Sequence, residues 1–189
     1  MPGDFRCFVA VPVPADVAAA IEDALRGLRA EISGPRWIAP EMLHLTILFL
    51  GSIDEEAAPA IGRVLARETA AERPMEIELG APGWFDAGRA GRVAWIGLRS
   101  GGLELDSFAH DLTTVLAREQ LLPEGSEPRG TPHLTIARRA SAELSGRLGE
   151  ALEPARPLRW TARQAVLYRS RAGAWGHRYE PIAEGTFAG

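Results

Sequence analysis

The sequence predicts an α+β protein made of two pseudo-symmetric lobes of mostly antiparallel sheet, with flanking helices, around a central groove. Three observations carry this prediction. The strand-type segments alternate apolar and polar residues, the pattern of half-buried antiparallel sheet rather than of a fully covered parallel one. Amphipathic helical segments several turns long separate them, so helices pack on a sheet. The tetrapeptide His-Leu-Thr-Ile occurs at His44–Ile47 and again at His133–Ile136, although the chain has only four histidines. On this composition, that repeat is a coincidence on the order of one in several hundred.

Taken in order, Phe5–Val13 is rich in β-formers and reads as the first strand. Pro14-Ala15-Asp16 opens a helix through about Glu31, with Val17, Ala20, Ile21, Ala24, Leu25 and Leu28 at helical spacing. Ser33-Gly34-Pro35 breaks it, and Arg36-Trp37-Ile38 is short and extended. The first histidine strand then runs to Gly51. Asp54-Glu55-Glu56 gives the acidic first turn of a second helix, to about Ala71. Met75–Leu79 reads as a strand, glycine-containing Gly80–Arg92 as a loop, and Val93–Leu98 as a strand. A third helix covers Leu103–Gln120, a polar loop Pro123–Thr131, and a short helix Ala142–Ala151 follows the second histidine strand. Strands at Ala162–Arg169 and His177–Ala183 close the chain, joined by the turn Ser170–Gly176. The histidine strand thus recurs in a similar sequence of elements, although the halves share nothing else visible. A pseudo-twofold relation would bring both histidine faces to one groove. No linker or low-complexity segment interrupts the chain, so residues 1–189 read as a single bilobed domain.

Composition narrows the chemistry. The chain has 189 residues, 46% of them hydrophobic and 24% charged, and no apolar run of membrane-spanning length, so no membrane partner is expected. The N-terminus lacks a basic segment followed by a long apolar core, so no secretory signal is read there. Cys7 is the sole cysteine, which excludes an internal disulfide and a multi-cysteine metal site; a reducing, cytoplasmic location is the expectation. All 21 basic residues are arginine. With no lysine, a lysyl-adenylate, a Schiff base and a P-loop lysine are all excluded. The net charge of −4 is unlike that of proteins gripping long nucleic acid. A nucleic-acid role would therefore involve a terminus or a small nucleotide in a local arginine-lined cleft.

In an extended strand, residues i and i+2 share a face. His44 and Thr46 therefore point one way and Leu45 and Ile47 the other, and His133 and Thr135 repeat the arrangement. Cleaving a phosphodiester requires a proton removed from the attacking oxygen and another delivered to the leaving oxygen. Histidine does both because its pKa lies near neutrality. Threonine hydroxyls beside them can donate to the non-bridging phosphate oxygens. Arg138, five residues after His133, offers a bidentate phosphate contact, against the plainer reading of a solvated arginine. Two histidines without Asp, Glu or Cys at ligand spacing make a poor zinc site, so neither metal nor cofactor is expected.

These residues resemble a known family, the 2H phosphoesterases, and within it the bacterial and archaeal RNA 2′,3′-cyclic phosphodiesterases, formerly called 2′-5′ RNA ligases. The similarity extends over Arg6–Val11, Arg36–Gly51, Arg92–Leu98, Thr131–Arg138 and the Tyr168–Tyr179 tail. The resemblance implies a 2H phosphoesterase-like fold and places the proton donor at His44 and the proton acceptor at His133. Thr46 and Thr135 fall on the family's phosphate-contacting threonines, and Arg138 on a basic residue found after the second motif. Leu48 departs from the pattern, standing where many relatives carry lysine, and implies a weaker grip on RNA if that lysine faces the backbone. The implied partners are RNA 3′ ends bearing a 2′,3′-cyclic phosphate, or small cyclic nucleotides, opened to a 2′-phosphate; the sequence does not fix the oligomeric state, and a monomer is the expectation. Reverse 2′-5′ ligation needs the same proton transfers.

Rival readings keep the groove but change its use. One is the same chemistry on a 2′-5′ oligonucleotide or a cyclic ADP-ribose phosphate; another is a non-catalytic module binding nucleotides or RNA ends. His110, within the third helix, reads as a surface or packing residue, and His177 as a minor candidate for substrate contact. Trp37, Trp84, Phe85 and Tyr168 are candidate base-stacking residues, with core packing the alternative. Arg89 and Arg92 are candidates for the groove mouth.

Overall fold

The computed structural model describes residues 5–86, 88, 91–123, 126–128, 131–173 and 176–189. Its strands are β1 (Phe5–Pro12), β2 (Arg36–Trp37), β3 (His44–Ile53), β4 (Met75–Asp86), β5 (Arg92–Ser100), β6 (Glu127–Pro128), β7 (Leu134–Ala140), β8 (Arg159–Ala162), β9 (Gln164–Gly173) and β10 (Gly176–Thr186). Four α-helices are described: α1 (Ala15–Glu31), α2 (Ala58–Ala71), α3 (Gly102–Arg118) and α4 (Ala142–Leu152). None is long and apolar enough to cross a membrane.

The protein is α+β, as expected, and its sheet is antiparallel at every described pairing. The main path runs β10-β9-β1-β3-β7-β5-β4-β8. A pseudo-twofold axis passes between β3 and β7. It relates β1-α1-β2-β3-α2-β4 to β5-α3-β6-β7-α4-β9, and the exchanged pairings obey it. β4, from the first half, pairs with β5, while β9, from the second half, pairs with β1. The short β2, ahead of β3, pairs with β7; the short β6, ahead of β7, pairs with β3. Helix packing follows the same symmetry, with α1 on α4 and α2 on α3. The internal repeat hinted at by the two tetrapeptides is thus present in the topology.

The helices bury their apolar stripes against one face of the sheet. Val17, Ile21, Leu25 and Leu28 of α1, Ile61, Val64 and Leu65 of α2, Leu105, Phe108 and Leu112 of α3, and Leu144 and Leu148 of α4 join one core with the inward residues of the strands. Leu45 and Leu134 are fully inaccessible in that core. Truncating such a leucine to alanine costs about 2–5 kcal/mol. Ser141 caps α4 by accepting from the Leu144 amide at 3.1 Å. The opposite face carries His44, Thr46, His133 and Thr135, all half-buried.

Four expectations change. The Gly80–Arg92 segment is mostly strand, since β4 continues to Asp86 and pairs with β5 from Glu78 to Asp86. Gly83 serves close packing rather than a turn, since a Cβ there would sit 2.3 Å from the Trp95 ring, whereas Gly88 and Gly91 take the positive φ of turn glycines. The second helix begins at Ala58, not Asp54. Asp54 instead accepts from the Glu56 amide at 3.1 Å in a turn ahead of it, and Pro59 fixes the first helical turn. The predicted loop Pro123–Thr131 contains β6. The predicted strand Ala162–Arg169 is divided at Arg163 into the end of β8 and β9, which pair at opposite ends of the sheet. One residue can join those ends only if the twisted sheet curls, and the curl makes its open face concave.

Cys7 is fully buried within β1, and burial pushes its thiol up to about 12, with the Arg169 charge pulling the other way. The folded state therefore holds the neutral thiol above its ordinary value of 9.0. Its contribution to stability is whole below pH 9 and is lost as the pH rises toward the folded value. A disulfide-exchange reagent at pH 8 is expected to label Cys7 only after denaturant is added. Rapid stoichiometric labelling of the native protein would contradict this packing.

Candidate active site

The groove is built on the seam between the lobes. β3 and β7 meet through one bridging pair, Leu45 with Leu134. Each leucine directly follows its histidine, so the pseudo-twofold passes between them. Extending the antiparallel register by one residue sets His44 across from Thr135 and Thr46 across from His133. The period of two then brings all four side chains to one face, while Leu45, Ile47, Leu134 and Ile136 fill the core below. Neighbouring registers agree, with Thr46 beside Ala10 of β1 and Thr135 beside Trp95 of β5.

The two imidazoles are held in the same way. His44 Nδ1 lies 2.7 Å from the Met42 carbonyl oxygen, and His133 Nδ1 lies 3.0 Å from that of Thr131. A carbonyl oxygen only accepts, so Nδ1 carries the hydrogen in both rings. That makes Nε2 the nitrogen that takes up or releases a proton. Aromatic rings from equivalent strands back each histidine. Phe8 of β1 lies 5.0 Å from the His44 ring and Tyr168 of β9 lies 6.4 Å from it. Trp95 of β5 lies 5.9 Å from the His133 ring and Phe85 of β4 lies 5.0 Å from it. These neighbours restrict ring rotation, so each Nε2 has a fixed direction.

A cleft of about 300 Å³ is lined by Arg6, Arg36, His44, Thr46, Phe49 and Arg138 among others. Arg36 and Arg138 are paired residues of β2 and β7, while Arg6 lies over the Phe49 ring at 5.2 Å. None of the three arginines joins an ion pair among the described residues, and all three are exposed. A chain of net charge −4 thus carries a locally cationic floor. A second cleft, of about 370 Å³, opens on the other side of His44 and is lined by Glu41, Tyr168, Arg178 and Tyr179. Burial and the Glu184 charge raise the Tyr168 pKa, so its phenol remains a hydrogen-bond donor at neutral pH. Among the described residues, no three His, Cys, Asp or Glu side chains gather as a metal site would require.

Comparison with known proteins bears on the family and the fold. The family model of the 2′-5′ RNA ligase superfamily matches residues 8–174. The chain belongs to that superfamily. Curated relatives named RNA 2′,3′-cyclic phosphodiesterase include those of Thermus thermophilus, 34% identical over 139 residues (71% of this chain and 68% of that one), and Methanocaldococcus jannaschii, 27% identical over 187 residues (95% and 99%). A Thermus thermophilus protein of known structure superposes with a TM-score of 0.76 at 27% identity, over 97% of this chain and 98% of that one. Escherichia coli LigT, solved with 3′-AMP, shares the fold with a TM-score of 0.73 at 23% identity, over 98% and 99%. The 2H phosphoesterase fold expected from the two tetrapeptides is therefore the fold observed.

Of the residues singled out in the sequence, His44, Thr46, His133 and Thr135 share the seam, and Arg138 lines the cleft beside them. Neither threonine hydroxyl has a hydrogen-bond partner among the described residues. Leu48 is fully buried, because bulges in β3 at Ile47 and Leu50 turn both Ile47 and Leu48 inward. The position faces the core, so leucine there removes no groove contact, and the expected weakening of RNA binding does not follow. Arg92 pairs with Asp86 at 3.3 Å and lies over Trp84, away from the histidines' face. Trp37 is covered by Arg29 in the same manner. His110 is an exposed residue of α3. Arg89 and the His177 side chain lie outside the described residues. Sequence reasoning missed Arg6, Arg36, Phe8, Trp95 and Tyr179 as groove or histidine neighbours. The available signal was the shared parity of Arg6 and Phe8 in β1, but it acquires meaning only once β1 is known to pair with β3.

Nitrogen-detected NMR at high pH, where both rings are neutral, is expected to show His44 and His133 as Nδ1–H tautomers. An Nε2–H tautomer at either position would contradict the carbonyl anchors.

Proposed function

We propose that this protein opens 2′,3′-cyclic phosphates at RNA 3′ ends or on small nucleotides, without a metal ion, by paired acid–base catalysis from His44 and His133. The observation that supports this most is the pair of imidazoles on adjacent strands, each with Nδ1 on a backbone carbonyl and Nε2 as the proton-exchanging nitrogen. The names of the curated relatives point to the same substrate class.

In this reading the cyclic phosphate sits over the Leu45–Leu134 pair. Neutral His133 takes a proton from water through Nε2 as the oxygen attacks phosphorus. Protonated His44 delivers its Nε2 proton to the departing 3′-oxygen, the P–O3′ bond breaks, and a 2′-phosphate remains. Thr46 and Thr135 donate hydrogen bonds to the non-bridging oxygens, and Arg138, with Arg6 and Arg36, stabilises the charge that grows there. Each histidine contributes about 10²–10⁴ in rate by proton transfer. If a 5′-hydroxyl replaces water, the same transfers form a 2′-5′ linkage. Both histidines come from one chain, so a monomer of a single bilobed domain suffices. A module that only bound nucleotides would need no pair of proton-exchanging nitrogens.

The test is the pH dependence of kcat/KM for 2′,3′-cyclic AMP in the presence of EDTA. The wild-type profile is expected to be bell-shaped. H44A and H133A should each lower activity by at least about 10² while keeping a native circular dichroism spectrum. H133A should lose the acidic limb and H44A the alkaline one. A monotonic wild-type profile, or near-normal turnover in either variant, would sink the paired-histidine mechanism.

A further inference from the structure

The aromatic rings behind the two histidines are equivalent by symmetry but not by exposure. Behind His44, Phe8, the counterpart of Trp95, is 4% exposed and serves as floor, and Tyr168, the counterpart of Phe85, is half-buried. Behind His133, Phe85 is 43% exposed and lies edge-on to the imidazole, 5.0 Å away at 75°. Phe85 rests on Trp95, with ring centroids 5.1 Å apart and planes 32° from parallel. The indole is itself seated in a slot of missing side chains. A Cβ at Gly83 would meet it at 2.3 Å and one at Gly97 at 3.3 Å. Trp95 therefore lies close against the backbone of two strands, and Phe85 is braced above it. Val93, opposite Phe85 in the β4–β5 register, borders the same patch. The result is a rigid apolar platform continuous with the proposed general base.

Water needs no such surface. We propose that Phe85, supported by Trp95, is the subsite for an acceptor nucleoside whose 5′-hydroxyl takes the place of water at His133. This assignment rests on the acid–base reading above. In a nucleoside the 5′-hydroxymethyl group and the base project from the same face of the ribose. An alcohol oxygen held at His133 Nε2 therefore brings its base over the ring that edges the imidazole. The steps balance without an added reagent. The acceptor O5′ loses its proton to His133 and bonds to phosphorus, the P–O3′ bond breaks, and O3′ takes the proton from His44. One 2′-5′ phosphodiester forms, with nothing oxidised or reduced and no nucleotide triphosphate consumed. Stacking on an aromatic face accepts any base, so this side would choose an acceptor by its 5′-hydroxyl and its flat base, not by sequence.

The experiment measures two products in one reaction. 2′,3′-Cyclic AMP is incubated with the protein and millimolar 5′-hydroxyl dinucleotide, and the yields of 2′-phosphate and 2′-5′-linked product are compared. Both routes use His44 and His133, so loosening either histidine lowers both yields and cancels in their ratio. Wild type is expected to form linked product that saturates with acceptor. F85L should lower the ratio of linked product to 2′-phosphate about tenfold, while F85W should preserve it. Hydrolysis without linked product in wild type, or an equal ratio in F85L, would overturn the subsite. Absence of both products would overturn the phosphodiesterase reading itself, and the subsite with it.

Discussion

The pairing of Leu45 with Leu134 is the contact on which the rest of the groove depends. It joins two lobes that otherwise hold their strands on separate sides of the seam, and it does so at equivalent residues. An antiparallel pair at equivalent positions creates a local twofold. Each histidine therefore faces the other strand's threonine, and the two imidazoles stand on one face of the sheet. The parity of the strand does the rest, placing leucine and isoleucine in the core and the four polar groups above it. A slip of one residue in either strand would reverse that parity and bury the histidines. The arrangement of the four groove residues and the hydrophobic core are thus specified by the same register.

In the proposed reaction, symmetry also accounts for how one groove would supply both an acid and a base. His44 and His133 have the same carbonyl anchor, the same strand neighbour and the same kind of aromatic backing. Their proposed roles diverge because a cyclic phosphate would be asymmetric there, with its leaving oxygen on one side and the nucleophile on the other. The surroundings add a second difference. The His44 side carries Glu41, Arg178 and two tyrosines around a cleft, whereas the His133 side presents the exposed Phe85. The cationic floor from Arg6, Arg36 and Arg138 lies beside the symmetric centre, where a phosphate would gather charge in the proposed reaction.

What the sequence revealed follows the range of the interactions. The α+β class, all four helices and the two histidine strands were legible because apolar periodicity and helix breakers act within a few residues. The four seam residues were legible because a repeated tetrapeptide carries its own parity. The rest depended on pairing across the chain. Gly80 and Gly83 read as loop residues because the indole that fills the space above Gly83 lies on the neighbouring strand. The break at Arg163 was invisible because β8 and β9 are both strand; only their partners, β4 and β1, differ. Arg6 and Arg36 looked like ordinary surface cations until β1 was set beside β3, and β2 beside β7. Leu48 misled in the opposite direction, since a bulge in β3 turns it inward against simple alternation.

The most direct test of the account is phosphorus NMR of 2′,3′-cyclic AMP incubated with the protein and EDTA. The account predicts a single product signal from the 2′-phosphate, formed by wild type and lost in both H44A and H133A. A 3′-phosphate would mean that the leaving oxygen lies on the other side of the seam. No conversion would contradict the paired-histidine mechanism for this substrate.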